Sequence, residues 1–476
     1  MSTMSPHSPQ AWNPGRPSDD LADLSATQTA RLIRAKEVSP VEVVEAALAR
    51  IERHAPLNAF ITVTADRARA QAQLAEQAVM RGDALGPLHG VPYSVKDLTL
   101  TAGVRTTMGS PIFEHFVPEQ DAVAVRSAQA AGAILVGKTN TPEFGARQMA
   151  SSPLNGRTLH PTHPQYTPGA SSSGAAVAVA TGQGLVALGT DGGGSIRIPA
   201  SCCGIVGFKA TLGAVPNLQP GDLFTANSYV GPMARNVADT ALLFAAIRGR
   251  HSLDPWGQAQ PVGRTAPATL KGLRVAWLPT CGNRIDPEVL NSTQAAMRAL
   301  EDQGATVETV DIDFVSLERH FLVLLETLTA ARVAPHLSKF RDRMDPAVVA
   351  VVERGLQRSA LELQEAHVAR TRCFQDLQRV LERFDLLASP TVSAPPLHID
   401  LNPEGLIEID GQAKAAIRAA WYPYTYPMNL TGHPALSMPC GRSRIGLPIG
   451  LHLVGRWHDD DFLLGSAALL EPLLSA

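Results

Sequence analysis

The sequence predicts one large α/β domain: a central mixed, mostly parallel twisted sheet covered by helices on both faces. Three observations predict it. The 476 residues are 45% hydrophobic and 18% charged, the balance of a globular chain with a large core. Helical periods alternate with short, continuously apolar runs, as strands buried on both faces require. No internal repeat and no clean linker divides the chain.

The elements follow in order. Residues 1–20, rich in Ser and Pro without an apolar core, read as a loose arm and not as a secretory signal. The domain is expected over 21–476. Ser25 caps a helix to about Lys36. Ser39-Pro40-Val41-Glu42 is a capping box with proline in the first turn. Val43, Val44, Ala47, Leu48 and Ile51 keep the helical period to about Arg53. A third helix runs from about Ala65 to Arg81, stopped by Gly82. A strand is expected near Val91–Val95, a helix over 121–131, and a strand over 133–136. An Ala/Val helix to about Thr181 and the strand Leu185–Leu188 follow. Next come a strand at 273–277, a helix at 287–303 and a strand at 306–310. A helical stretch over 314–384 is broken near Pro335 and Pro346. Strands at 385–388, 435–438 and 449–454 return to the sheet, and 461–474 closes as a helix.

Composition excludes several classes. The net charge is −3 with no Lys/Arg tract, so no nucleic-acid partner is expected. The five cysteines are odd in number and form no C-x-x-C pair, which argues against a disulfide framework or metal site and suits a reducing compartment. No stretch approaches the roughly 18 apolar residues of a membrane span. A soluble, cytoplasmic protein, monomer or homodimer, is the expectation.

Chemistry concentrates in two glycine-rich serine turns and the end of one strand. In Gly189-Thr190-Asp191-Gly192-Gly193-Gly194-Ser195, a tight turn lets the N–H groups of 192–195 converge on one point. That would make an oxyanion cradle beside a nucleophilic hydroxyl. A plain glycine turn reads the same locally. Ser171-Ser172-Ser173 opens a helix, where serine caps well, but a serine hydroxyl also relays protons. Lys96 ends an apolar strand; buried there, it would lose its proton readily and serve as a base. Lys138 and Lys209 occupy comparable strand-flanking positions, and local sequence does not choose among the three. G-x-S-x-G fits neither serine turn, and the P-loop pattern fails at Ala175, where lysine is required.

Taken together, these segments resemble the amidase-signature family of serine hydrolases. The resemblance begins near Leu57-Asn58-Ala59-Phe60. It runs through GPLHGVPYSVKD (86–97), GVRTTMGS (103–110), ILVGKTNTPEFG (134–145), PGASSSGAAVAVA (168–180) and LGTDGGGSIRIPASCCGIVGFKAT (188–211). It resumes at NLTGHPALSMPCG (429–441) and GLPIGLHLVGR (446–456), and lapses over 314–384. It implies a catalytic core over about 86–212, a variable helical region at about 314–384, and returning strands over 385–476. Position by position, it implies Lys96 as base, Ser171 as bridging serine on a cis peptide, and Ser195 as nucleophile. It further implies Gly192, Gly193 and Gly194 as the oxyanion turn, Asp191 and Arg197 as its braces, and Ser172 as a residue orienting the lysine. The chain departs from the family's usual residues at Ala170, Ser173 and Gly192.

The implied activity is cleavage of small-molecule amides, with carbamates and esters open to the same acyl chemistry, and with no metal or cofactor. Met149 and Tyr424, the latter within the aromatic run 421–426, are candidate substrate contacts. The glutamine-hydrolysing subunit of a tRNA-dependent amidotransferase resembles the chain too and is the alternative.

Overall fold

The computed structural model of the protein describes residues 18–147, 149–225, 227–257 and 263–474. Eleven strands form one mixed sheet. By first residue, their spatial order is 60, 134, 92, 186, 229, 206, 435, 448, 386, 274 and 306. The parallel pairs lie toward the two sides of the sheet, one of which ends in the antiparallel edge strand Phe60–Val63 beside Ile134–Thr139. Pro92–Lys96 lies between Ile134–Thr139 and Val186–Asp191, and Arg274–Trp277 lies between Leu386–Pro390 and Thr306–Thr309. A parallel return needs a crossover. Helices Val123–Ala130, Ser173–Ala180 and Pro287–Asp302 supply it, where the sequence alternates helix and strand. Across the middle the strands Val186–Asp191, Tyr229–Ala234, Val206–Lys209, Ala435–Arg442 and Pro448–Gly455 pair antiparallel. The last two form a hairpin, whose short loop leaves no room for a crossover.

Helices cover both faces, and the period of two along each strand feeds two cores. Val186 and Leu188 enter the large cluster that holds Leu243 and Leu463 from helices Val237–Ile247 and Asp460–Leu474. Ala187, between them, enters the cluster under helix Ser173–Ala180.

Local signals produced the expected ends. Ser25 and Ser39 both close capping boxes, on helices Ala26–Arg34 and Pro40–Arg53. Gly82, at φ 77°, ends Ala65–Arg81 in the left-handed conformation that glycine adopts freely. The stretch 314–384 resolves into helices Glu318–Val333, Pro346–Gln357 and Ala360–Arg383, with a 3-10 turn at Pro335 and Asp345 capping the proline-led helix. Helix Ser18–Asp23 crosses the expected end of the N-terminal arm; the rest of that arm, 1–17, lies outside the described residues. Strand Tyr229–Ala234 was not legible, because Gly231-Pro232 reads as a break. All five cysteines are free and buried. Among the described residues no helix is long and apolar enough to cross a membrane.

Candidate active site

Lys96 and Asp191 are the last residues of two adjacent parallel strands. They lie at the carboxyl ends of those strands, the edge where open α/β sheets bind ligands. Lys96 is fully buried. Its Nζ stands 2.8 Å from Ser171 Oγ, 3.0 Å from Ser172 Oγ and 3.3 Å from Thr190 O. Burial drives the amine well below the ordinary lysine value, with the Asp191 charge opposing only in part. The other two candidate lysines are spent on structure. Lys138 donates to Thr99 O, Thr101 Oγ1 and Thr106 Oγ1. Lys209 donates to Ala210 O and sits 3.9 Å over the Tyr229 ring.

The first serine turn precedes helix Ser173–Ala180. The Ala170–Ser171 peptide is cis. Ser172 occupies the cap position but makes no side-chain cap bond. Its Oγ instead meets Lys96 Nζ and donates to Thr190 O (3.1 Å), so the capping reading does not hold for it. Gly145, at φ +70°, passes so close that a Cβ there would stand 2.9 Å from Ser171 Oγ.

The second serine turn is braced from below. Asp191 Oδ1 accepts from Gly194 N (2.7 Å), and Oδ2 accepts from Ile196 N (3.1 Å). Arg197 Nε and Nη2 donate to the two carboxylate oxygens at 3.0 and 2.9 Å. Asn429 Nδ2 donates to both Asp191 O (2.8 Å) and Oδ1 (2.9 Å). Burial alone would raise the Asp191 carboxyl, but Arg197 and these donors outweigh it and hold the group well below the usual carboxylate range. Arg197 Nη1 also lies 3.0 Å from His452 Nε2. Burial, helped by Arg197, pushes that imidazole well below its ordinary value, so it stays neutral and accepts. Removing one partner of a fully buried pair leaves the other uncompensated. Asp191→Asn is therefore expected to lose about 3–5 kcal/mol of stability, measured as a fall in the urea midpoint.

From above, Thr425 Oγ1 donates to Gly193 O at 2.9 Å. The 193–194 peptide is thus held at both ends, its carbonyl by Thr425 and its N–H by Asp191. Of the three glycines expected to donate to an oxyanion, Gly194 has its N–H engaged with Asp191. The N–H groups of Gly192, Gly193 and Ser195 carry no hydrogen bond among the described residues. A Cβ on Gly192 would meet nothing within 4 Å; one on Gly194 (φ +118°) would strike Thr425 Oγ1. Ser195 is half-buried, and its carbonyl accepts from Ser172 N at 3.0 Å, which ties the two serine turns together. Ser195 Oγ makes no hydrogen bond among the described residues, to Ser171 or to any other group.

The aromatic run is dispersed. Tyr424, a candidate substrate contact, is buried among Leu278, Cys281 and Phe384, with its hydroxyl donating to Pro279 O at 3.0 Å. Met149 is buried, its carbonyl accepts from Ser151 N, and among the described residues it makes no hydrogen bond to Lys96, Ser171 or Ser195. From the variable helical region and the tail, Thr425, Asn429 and Phe321 touch the second turn. A Cβ on Gly193 would stand 2.9 Å from Phe321 Cζ, and the Phe321 ring packs on Tyr426 with centroids 5.0 Å apart. Phe321 lies on helix Glu318–Val333, where the sequence carries no motif; Asn429 and Thr425 flank or open a matching segment but have no local signal of contact.

A family model described as Amidase matches residues 42–464 of the chain. A glutamyl-tRNA(Gln) amidotransferase subunit from Synechococcus sp. (strain CC9605) is 34% identical, over 95% of this chain and 96% of that protein. An acylamidase of Rhodococcus erythropolis is 30% identical, over 94% and 95%. Among solved structures, a bacterial aryl acylamidase of the amidase-signature enzymes superposes with a TM-score of 0.87 at 27% identity, covering 94% of this chain and 96% of that one.

Proposed function

The chain belongs to the amidase family, hydrolases of amide C–N bonds, and we propose that it cleaves small aryl and alkyl amides through an acyl-enzyme on Ser195. The observation that carries this reading is a fully buried, proton-poor amine 2.8 Å from a serine hydroxyl. A neutral lysine is a competent base toward serine. Lys96 takes the Ser171 proton as Ser171 takes that of Ser195, and Ser195 Oγ attacks the carbonyl carbon. The second link closes on substrate, since hydrogen bonds of unliganded sites are commonly long. The oxyanion is met by the N–H groups of Gly192, Gly193 and Ser195; Asn429 holds the carbonyl of the 191–192 peptide, Ile198 N that of the 194–195 peptide, and Asp191 and Thr425 fix the 193–194 peptide of the same turn. Ser171 then passes the proton to the leaving nitrogen, the C–N bond breaks, and water hydrolyses the ester. Carbamates and esters present the same carbonyl and fall within reach of this chemistry.

A fluorophosphonate probe tests the assignment. It is expected to label Ser195, identified by mass spectrometry of the modified peptide; labelling elsewhere, or none, would refute it. A second reading is favoured by the amidotransferase relative: a glutaminase that hands ammonia to a partner. Glutamine hydrolysis that rises when the chain is co-purified with a partner protein would select that reading over the free-standing amidase.

A further inference from the structure

We propose that Arg332 is a substrate-binding residue that selects amides whose leaving amine carries a carboxylate. The proposal rests on the reading of Ser195 and Ser171 above and names its substrate class. Helix Glu318–Val333 runs unbroken from Phe321, which packs on Gly193 of the nucleophile turn, to Arg332. Eleven residues are about three turns and about 16 Å, so the two side chains leave the same face. Half-buried Leu325 and Leu328 lie between them on that face. At the far end the Arg332 guanidinium lies 5.3 Å from the Phe144 ring centroid and touches Met108 Sδ. Phe144 is bonded through its N–H to Met108 O and precedes Gly145, which abuts Ser171 Oγ. One helix face therefore carries an aromatic against Gly193, two leucines, and at its end a cation packed on Phe144, the residue before the glycine that abuts Ser171.

That cation lacks a counter-ion. Among the described residues Arg332 pairs with no carboxylate, and the acids nearby in the fold are engaged elsewhere. Glu143 accepts from Ser110 Oγ and Asp345 N. Asp345 pairs with Arg147 at 2.9 Å, and Glu114 pairs with Arg343 at 2.8 Å. Arg332 is exposed, yet the surrounding protein lowers its affinity for its proton. Open to solvent and packed on one side against Phe144 and Met108, the group is placed to meet a ligand there. A guanidinium so placed recognises a planar carboxylate by paired charge-assisted hydrogen bonds. Ser171 returns its proton to the leaving nitrogen, so a group on the Ser171 side belongs to the amine half. N-acylated amino acids and N-acylated aminobenzoates meet the requirement.

Three substrates test this: 4-acetamidobenzoate, its neutral isostere 4-acetamidotoluene, and the monoanilide of succinate, which carries the carboxylate on the acyl half. The wild-type protein is expected to favour the first over the second by about tenfold or more in kcat/KM. Arg332→Gln should remove that preference, and Arg332→Lys should restore part of it. Equal rates for the first two substrates, a preference untouched in Arg332→Gln, or preference for the succinate anilide would overturn the proposal. Should none of the three be cleaved, calorimetric binding of 4-aminobenzoate to wild type and Arg332→Gln decides it: equal affinity refutes the role of Arg332. Absent fluorophosphonate labelling, by contrast, marks failure of the Ser195 assignment alone.

Discussion

Ser195→Ala is expected to hydrolyse an anilide about 10⁴-fold or more slowly than the parent, because the covalent route disappears while the amide-lined turn remains. The variant should fold normally. Ser195 Oγ makes no hydrogen bond among the described residues, and the turn is held instead by its backbone and by Asp191. An unchanged urea midpoint with turnover lost separates a chemical role from a structural one. Turnover within tenfold of the parent would end the assignment.

Lys96→Met should follow closely, losing about 10²–10⁴ in kcat. Lys96→Arg should fare no better, since a guanidinium does not shed its proton. The wild-type pH profile carries the sign of the proposal. The charged amine is inactive and the neutral amine is the base, so kcat/KM should rise with pH through the lowered Lys96 pKa. It should level off well below 10.5, the ordinary lysine value. A bell-shaped profile centred on a histidine, or a rise that tracks an unshifted lysine, would remove Lys96 from the mechanism. In Lys96→Met the rising limb itself should vanish from whatever activity survives.

Both variants bear on the same division of labour. Helix ends and turns were readable because the interactions that make them span three or four residues. Ser39 and Glu42 satisfy each other's backbone donors with no help from the rest of the chain. The glycines of 192–194 were readable for the same reason, as were the short apolar runs of the parallel strands. The choice among Lys96, Lys138 and Lys209 was not. All three end or flank buried strands, and what separates them is a hydroxyl 75 residues away in one case and threonines or a carbonyl in the others. The placement of each residue in the aromatic run was not legible either, for a related reason. A string of adjacent aromatics says that each is buried, not where, and the turns around Pro423 and Pro427 send Tyr424 into one core, Tyr426 onto Phe321, and leave Thr425 on the Gly192–Ser195 turn.

By itself, then, the sequence determined the α/β architecture, the caps, and the two serine turns with their small residues, all of which depend on patterns that repeat or close within one element. Tertiary structure alone decided which of three buried lysines meets a serine hydroxyl, which N–H groups of the second turn carry no hydrogen bond among the described residues, and that a helix from the least recognisable stretch sets Phe321 against Gly193 and Arg332 against Phe144. The physical reason is range. Backbone capping and hydrophobic period act between neighbours, whereas desolvation and the orientation of a hydrogen bond exist only once residues such as Asp191 and Asn429, 238 apart in the chain, have been packed against each other.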